Sequence, residues 1–189
     1  HLTTRRQRQM CIRDRLLAVG RLAARKGYGT LIRGFSALNK EMPNTKLVIV
    51  GRGHLKRRLM RLAKSLGVGE DITIESSLSF AELAQLYRSS DLVVYPSFYE
   101  GQGLIPLEAM ASGVPVVTVD HGPLPEMVDE SVGALFTMGN IESMVSVMKE
   151  VLKAGRKKGE KGRARVLQKF TYSGNAESFE NIYLEAINR

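Results

Sequence analysis

Six short apolar runs, most followed by a segment of helical period, constrain this chain more than any other feature. They are LLAV (16–19), KLVIV (46–50), DITIES (71–76), DLVVYP (91–96), VPVVTV (114–119) and GALFT (133–137). KLVIV and its like are continuous rather than alternating, as a strand covered on both faces requires. Strands of this kind interleaved with helices predict a doubly wound, mostly parallel α/β sheet with right-handed crossovers.

The helical segments are amphipathic at the expected spacing. GYGTLIRGFSALNKEM carries Tyr28, Leu31, Ile32, Phe35 and Leu38 on one stripe. HLKRRLMRLAKSLG turns Leu55, Leu59, Leu62, Ala63 and Leu66 inward and Lys56, Arg57, Arg58, Arg61 and Lys64 to water, with Gly67 as its stop. Ser79 and Glu82 form a capping box ahead of FAELAQLYR. GLIPLEAMASG (103–113) is nearly all apolar and predicts a buried helix, with Pro106 tolerable only in its first turn. PLPEMV is a short helical segment, and IESMVSVMKEVLKAG turns Ile141, Met144, Val145, Met148 and Leu152 inward. The basic stretch 155–169 reads as a solvated helix, and a last helix near 174–187 turns Phe179, Ile182, Tyr183 and Ala186 inward. Met110, Met127, Met144 and Met148 read as core filler.

Composition narrows the function classes. In 189 residues there is one cysteine, Cys11, which excludes a disulfide framework and cysteine-based metal sites. No apolar run has the length of a membrane span, and the polar opening has no apolar h-region. A cytoplasmic location is expected, with peripheral membrane association left open. Of the net charge of +9, residues 1–15 carry +4, through five arginines against Asp14. This segment, HLTTRRQRQMCIRDR, reads as a basic arm, disordered or foreign to the domain at 16–189. It lacks the aromatic platform of a nucleic-acid arm, and no nucleic-acid partner is expected. The remaining +5 suits a phosphorylated ligand or an anionic surface.

Three loops follow predicted strands, on the face where sheets of this class bind ligands. In Gly20-Arg21-Leu22-Ala23-Ala24-Arg25-Lys26-Gly27, Gly20 permits a tight turn, and Arg21 and Lys26 either converge on a phosphate or sit in a solvated turn. Gly51-Arg52-Gly53 brings backbone near a ligand or simply makes a turn. It lacks the third glycine and acidic residue of a dinucleotide fingerprint. The third loop, Pro96 to Glu108, places Glu100 in the loop and Glu108 eight residues on, inside the apolar helix. A carboxylate among Leu104, Leu107, Ala109, Met110 and Ala111 is costly unless paired or in reach of solvent. The two acids suit hydroxyl binding, and the glycine-rich helix start supplies N–H groups for a phosphate. His121, after the fifth strand, is a further candidate ligand contact, while His54 reads as a surface or capping residue. No histidine cluster has metal spacing.

VGRL with Lys26 behind it, KLVIVGRG, ELAQLYRSSDLVVYPSFYEGQGLIPLEAMASGVPVV and GALF together resemble the C-terminal, donor-binding half of family 4 retaining glycosyltransferases, from about Leu16 to Tyr183. The resemblance implies a GT-B enzyme with a Rossmann-like donor domain. Arg21 and Lys26 would then hold the donor diphosphate, and Glu100 would lie near the donor sugar. Glu108 would bind the ribose hydroxyls, and Gly103, Leu104 and Ile105 would meet the phosphate through their N–H groups. Gly20 and Gly51 would make the turns near the nucleotide, and Ser77, within 76–79, would lie near the base together with Leu83. The implied reaction is hexosyl transfer from a UDP-, GDP- or ADP-linked sugar to a hydroxyl of a sugar or lipid-linked acceptor, with retention and without a cofactor or metal. A double displacement through Glu100 would need a second carboxyl about 5–5.5 Å away, and Glu108 would be occupied with ribose.

The sequence departs from the family pattern at three places. Gln102 stands where phenylalanine is commoner, Ser76 where glycine is usual, and Pro123 in the turn after the fifth strand. The chain opens on His1, and the resemblance covers the donor half alone. An N-terminal acceptor domain is therefore expected beyond this sequence, with little transfer by this chain alone. The competing readings are a non-enzymatic nucleotide-sugar sensor or scaffold, a nucleotide-sugar epimerase, and a basic interaction module built on Lys157, Lys158, Lys161, Arg163 and Arg165.

Overall fold

The computed structural model describes residues 14–187. Six strands, β1 (Arg15–Val19), β2 (Lys46–Val50), β3 (Ile72–Glu75), β4 (Leu92–Tyr95), β5 (Val116–Val119) and β6 (Gly133–Phe136), form one all-parallel sheet in the order β3-β2-β1-β4-β5-β6. The doubly wound sheet expected from the apolar runs is the observed fold. The chain first builds outward from β1 to β3, then returns to the other side of β1 and builds outward to β6. The direction of winding therefore reverses between β1 and β4.

Eight helices flank the sheet among the described residues: α1 (Tyr28–Glu41), α2 (Lys56–Ser65), α3 (Phe80–Ser89), α4 (Leu104–Ala111), α5 (Leu124–Met127), α6 (Ile141–Ala154), α7 (Lys157–Lys169) and α8 (Tyr172–Ile187). Helix α1 packs against α2 and α6, and all five members of its predicted stripe are buried. Gly34 lets α6 come close, since a Cβ there would lie 2.7 Å from Met144 Sδ. The four methionines read as core filler are all buried. Helix α3 starts on the Ser79–Glu82 capping box, and α6 on Asn140, whose side chain accepts from Ser143 N–H at 2.9 Å. Pro106 falls in the first turn of α4, where it breaks no intrahelical bond.

Four expectations need correction. Arg15 is not part of an arm: it opens β1, pairs with Lys46, and its N–H donates to Asp91 at 2.9 Å. The rest of that segment, residues 1–13, lies outside the described residues. Helix α4 is buried only along Pro106, Ala109 and Met110, with Leu104 57% exposed, because it sits at the rim of the sheet and α7 covers one side of it. Helix α7 is not merely solvated. Gly159 and Gly162 form a side-chain-free face pressed onto the α4 end, where a Cβ at Gly159 would lie 2.1 Å from the Gly113 carbonyl oxygen. Helix α8 buries nothing: Phe179, Ile182, Tyr183 and Ala186 are exposed, because no element among the described residues faces its apolar stripe.

Candidate active site

The turns that leave β1 and β4 emerge side by side where the winding reverses, the crevice at which open α/β sheets hold ligands. Backbone contacts fix both turns. Gly20 N–H donates to Val50 O at 2.9 Å and Leu22 N–H to Arg52 O at 2.8 Å, tying the turn after β1 to the turn after β2. A 3-10 turn over Ala24–Lys26 ends at Gly27, whose φ of +68° suits glycine and whose missing Cβ would lie 2.1 Å from the Pro96 carbonyl oxygen. Phe98 N–H donates to Arg25 O at 2.8 Å. The chain thus has no freedom to withdraw Lys26 from the β4 turn.

Lys26 meets Glu100 there. Its ammonium donates to Glu100 Oε1 and, at 3.1 Å, to Tyr95 Oη, and it lies 5.4 Å from the centre of the Tyr95 ring. Ser97 Oγ donates to the same Glu100 oxygen. Both charged side chains are largely withdrawn from water, at 13% and 14% exposure. Burial pushes the Glu100 carboxyl up. Hydrogen bonds from Lys26, Ser97 and Tyr95, with the Lys26 charge, outweigh it and hold the group below the usual glutamate range. Burial, reinforced by the Glu100 charge, raises the phenols of Tyr28 and Tyr95, so both stay protonated.

Glu108 lies on the exposed side of α4, so the burial cost expected from its apolar neighbours does not arise. Its Oε2 accepts from Tyr87 Oη at 2.9 Å. Gly103 enters α4 at φ +81°, where a Cβ would strike Leu124 Cδ2 at 2.8 Å. It offers no side-chain cap, so the N–H groups of Leu104 and Ile105 are left for a ligand or water at the positive end of the helix. Gly51 N–H donates to Glu75 O at 2.8 Å. Ser77 Oγ accepts from Arg52 at 2.9 Å, and Arg52 also donates to Ser76 O at 2.8 Å. Lys56, expected to face water, instead donates to Ser76 Oγ at 2.7 Å, because the β3 turn passes over the start of α2.

The structure therefore joins Lys26 to Glu100 and sets Glu108 on the next helix. Arg21 is exposed and makes no side-chain hydrogen bond or ion pair among the described residues. His54 and His121 are both exposed. Tyr95, Ser97 and Tyr87 were missed from sequence. The one available signal was a tyrosine as the last residue of an apolar strand, directly before Pro96 and Ser97. A cavity of about 810 Å³ lined by Asp129, Glu130, Ser131 and Glu150 opens near the start of β6, away from these turns. Three of the five cations of the proposed basic module are engaged internally: Lys158 on Glu130 O at 2.6 Å, Arg163 on Ala111 O at 2.5 Å, and Arg165 on Asp129 at 2.6 Å. Among the described residues no three His, Cys, Asp or Glu side chains group as metal ligands, and no helix is long and apolar enough to cross a membrane.

Comparison with known proteins shows the family. A D-inositol 3-phosphate glycosyltransferase of Corynebacterium aurimucosum is 32% identical over 199 residues, covering 99% of this chain and 47% of its own. An uncharacterized glycosyltransferase of Methanocaldococcus jannaschii is 40% identical over 121 residues, covering 64% of this chain and 31% of its own. The chain thus spans less than half the length of these curated relatives. Among solved structures, the sucrose-phosphate synthase of Thermosynechococcus elongatus superposes with a TM-score of 0.82 at 26% identity, over 96% of this chain and 48% of its own. The C-terminal domain of a Francisella tularensis glycosyl transferase group 1 protein does so with a TM-score of 0.76 at 25% identity, over 90% and 95%. Residues 13–166 match the family described as glycosyl transferases group 1, and with a Rossmann-like sheet of the GT-B type the chain belongs to that family.

Proposed function

We propose that this chain is the donor-binding half of a retaining hexosyltransferase, one that takes a nucleoside-diphosphate sugar. The observation that carries the reading is the Lys26–Glu100 pair held at the winding reversal, beside the uncapped start of α4. In this reading Lys26, Arg21 and the N–H groups of Leu104 and Ile105 hold the diphosphate, and Gly103, with no side chain, leaves the helix start open. Glu100 serves the sugar, Glu108 the ribose hydroxyls, and Ser77 with the Gly51 turn flanks the base.

In this reading the acceptor oxygen attacks the anomeric carbon from the face the diphosphate leaves. The bond from that carbon to the phosphate oxygen breaks, and a phosphate oxygen takes the acceptor proton. Negative charge grows on the leaving group, where Arg21, Lys26 and the helix start oppose it. Fixed groups of this kind supply the larger part of many rate enhancements. Acceptor contacts come from a preceding domain, so the chain alone transfers little or nothing. The acceptor is a sugar or lipid-linked hydroxyl, and the enzyme works in the cytoplasm or at a membrane surface.

Titration calorimetry with UDP, GDP, ADP and their glucose and mannose conjugates tests this. One base is expected to bind selectively. Arg21→Ala, Lys26→Ala and Glu108→Ala should each weaken that binding about tenfold or more. A folded chain that binds none of them would overturn the proposal.

A further inference from the structure

Resting on the ribose assignment of Glu108, the geometry points to Tyr87 as the positioning residue that sets the Glu108 carboxylate for the ribose hydroxyls. Tyr87 is 3% exposed near the end of α3, on a different helix from Glu108, and its hydroxyl reaches Glu108 Oε2 at 2.9 Å. It is the one side chain among the described residues that hydrogen-bonds Glu108. Burial, with the Glu108 charge beside it, raises the Tyr87 phenol. It therefore stays protonated and keeps its proton for Glu108.

The consequence follows from counting acceptor sites. An ionised carboxylate offers about four lone-pair positions. Tyr87 occupies one on Oε2, leaving Oε1 and the rest of Oε2 for two adjacent hydroxyls. A glutamate on the exposed side of a helix otherwise samples several rotamers, and a ligand that needs one of them bears the ordering cost. The phenol belongs to the rigid core and removes that cost in advance. A buried phenol hydroxyl needs a partner whatever its role, so Tyr87→Phe, which retains the packing and removes only the donor, separates the two roles.

The test uses the full chain, with UDP, GDP and ADP against their 2′,3′-dideoxy counterparts, in wild type, Tyr87→Phe, Glu108→Ala and the double variant. Thermal unfolding confirms that each is folded. Wild type is expected to prefer the ribonucleotide. Tyr87→Phe should weaken ribonucleotide binding about tenfold and leave dideoxynucleotide binding unchanged. In the Glu108→Ala background it should change neither. Equal weakening of both ligands by Tyr87→Phe, or no change in either while Glu108→Ala abolishes the preference, would overturn the inference and leave the ribose assignment standing. A preference that survives Glu108→Ala would overturn the ribose assignment and the inference with it. Absence of nucleotide binding in the folded wild type would overturn the donor-binding reading on which both rest.

Discussion

A Cβ added at Gly51 would lie 1.9 Å from the carbonyl oxygen of Gly20, so the turns that close β1 and β2 are in backbone contact. The contact sets the height at which Arg21 and the Lys26 turn begin. It also leaves no room for any side chain at position 51.

Gly51→Ala should therefore destabilise the fold at the upper end of the roughly 1–3 kcal/mol that overpacking costs, because backbone and not a flexible side chain must yield. For a domain of this size that is a fall of roughly 2–4 °C in Tm per kcal/mol. Thermal unfolding reads it directly. An unchanged Tm would mean the two turns are not in contact.

Glu100 titrates below its ordinary value of 4.5 in the folded chain. A depressed carboxyl stabilises the fold at pH values above the unfolded value, and that contribution is lost as pH falls through the depressed one. Lys26→Met removes a hydrogen bond and a positive charge while burial remains, so the Glu100 midpoint should rise. Carboxyl-selective NMR titration of the two proteins measures it. A midpoint that stays in place would show that Lys26 does not hold Glu100.

Asp129 is held down at about 2 by hydrogen bonds from Arg165 and Ser131, which outweigh a small opposing push from burial. Its contribution is complete above the unfolded value of 3.8 and disappears as pH falls toward about 2. Arg165→Met should return the Asp129 midpoint toward 3.8 and flatten the loss of stability over that range. Urea unfolding at stepped pH follows the stability, and NMR follows the carboxyl.

Gly159→Ala should push α7 away from the end of α4, since the new methyl would meet the Gly113 carbonyl oxygen at 2.1 Å. The expected cost is about 1–3 kcal/mol, read as a lower urea midpoint with an unchanged slope. Lys161→Ala on the exposed side of the same helix serves as the control and should stay within about 0.5 kcal/mol of wild type.

Much of the fold was legible in the sequence because burial on both faces leaves a local trace. LVIV (47–50) and GALF are apolar because helices cover both sides of the sheet, and the strand boundaries fall within one or two residues of the apolar runs. The Ser79–Glu82 box was legible because its partners lie three residues apart. Helix α8 shows where such reasoning stops. Its apolar stripe is real, but periodicity records that a face wants cover and says nothing about what covers it. Helix α4 misled for a related reason: an apolar composition does not say which side of a helix a neighbour reaches, and Leu104 ended in solvent.

The candidate site divides along the same line. Its charged members, Arg21, Lys26, Glu100 and Glu108, were found in sequence because their loops follow strands and their pattern resembles a known family. What joins them was not found, because each link spans a long stretch of chain. Tyr87 and Glu108 are 21 residues apart, and Lys26 and Glu100 are 74 apart. Residue type and local spacing indicated which elements form and which side chains are candidates for the site. Sheet order, with β4 laid beside β1, settled which of those side chains meet, because hydrogen bonds and ion pairs act over a few ångströms of space whatever the distance along the chain.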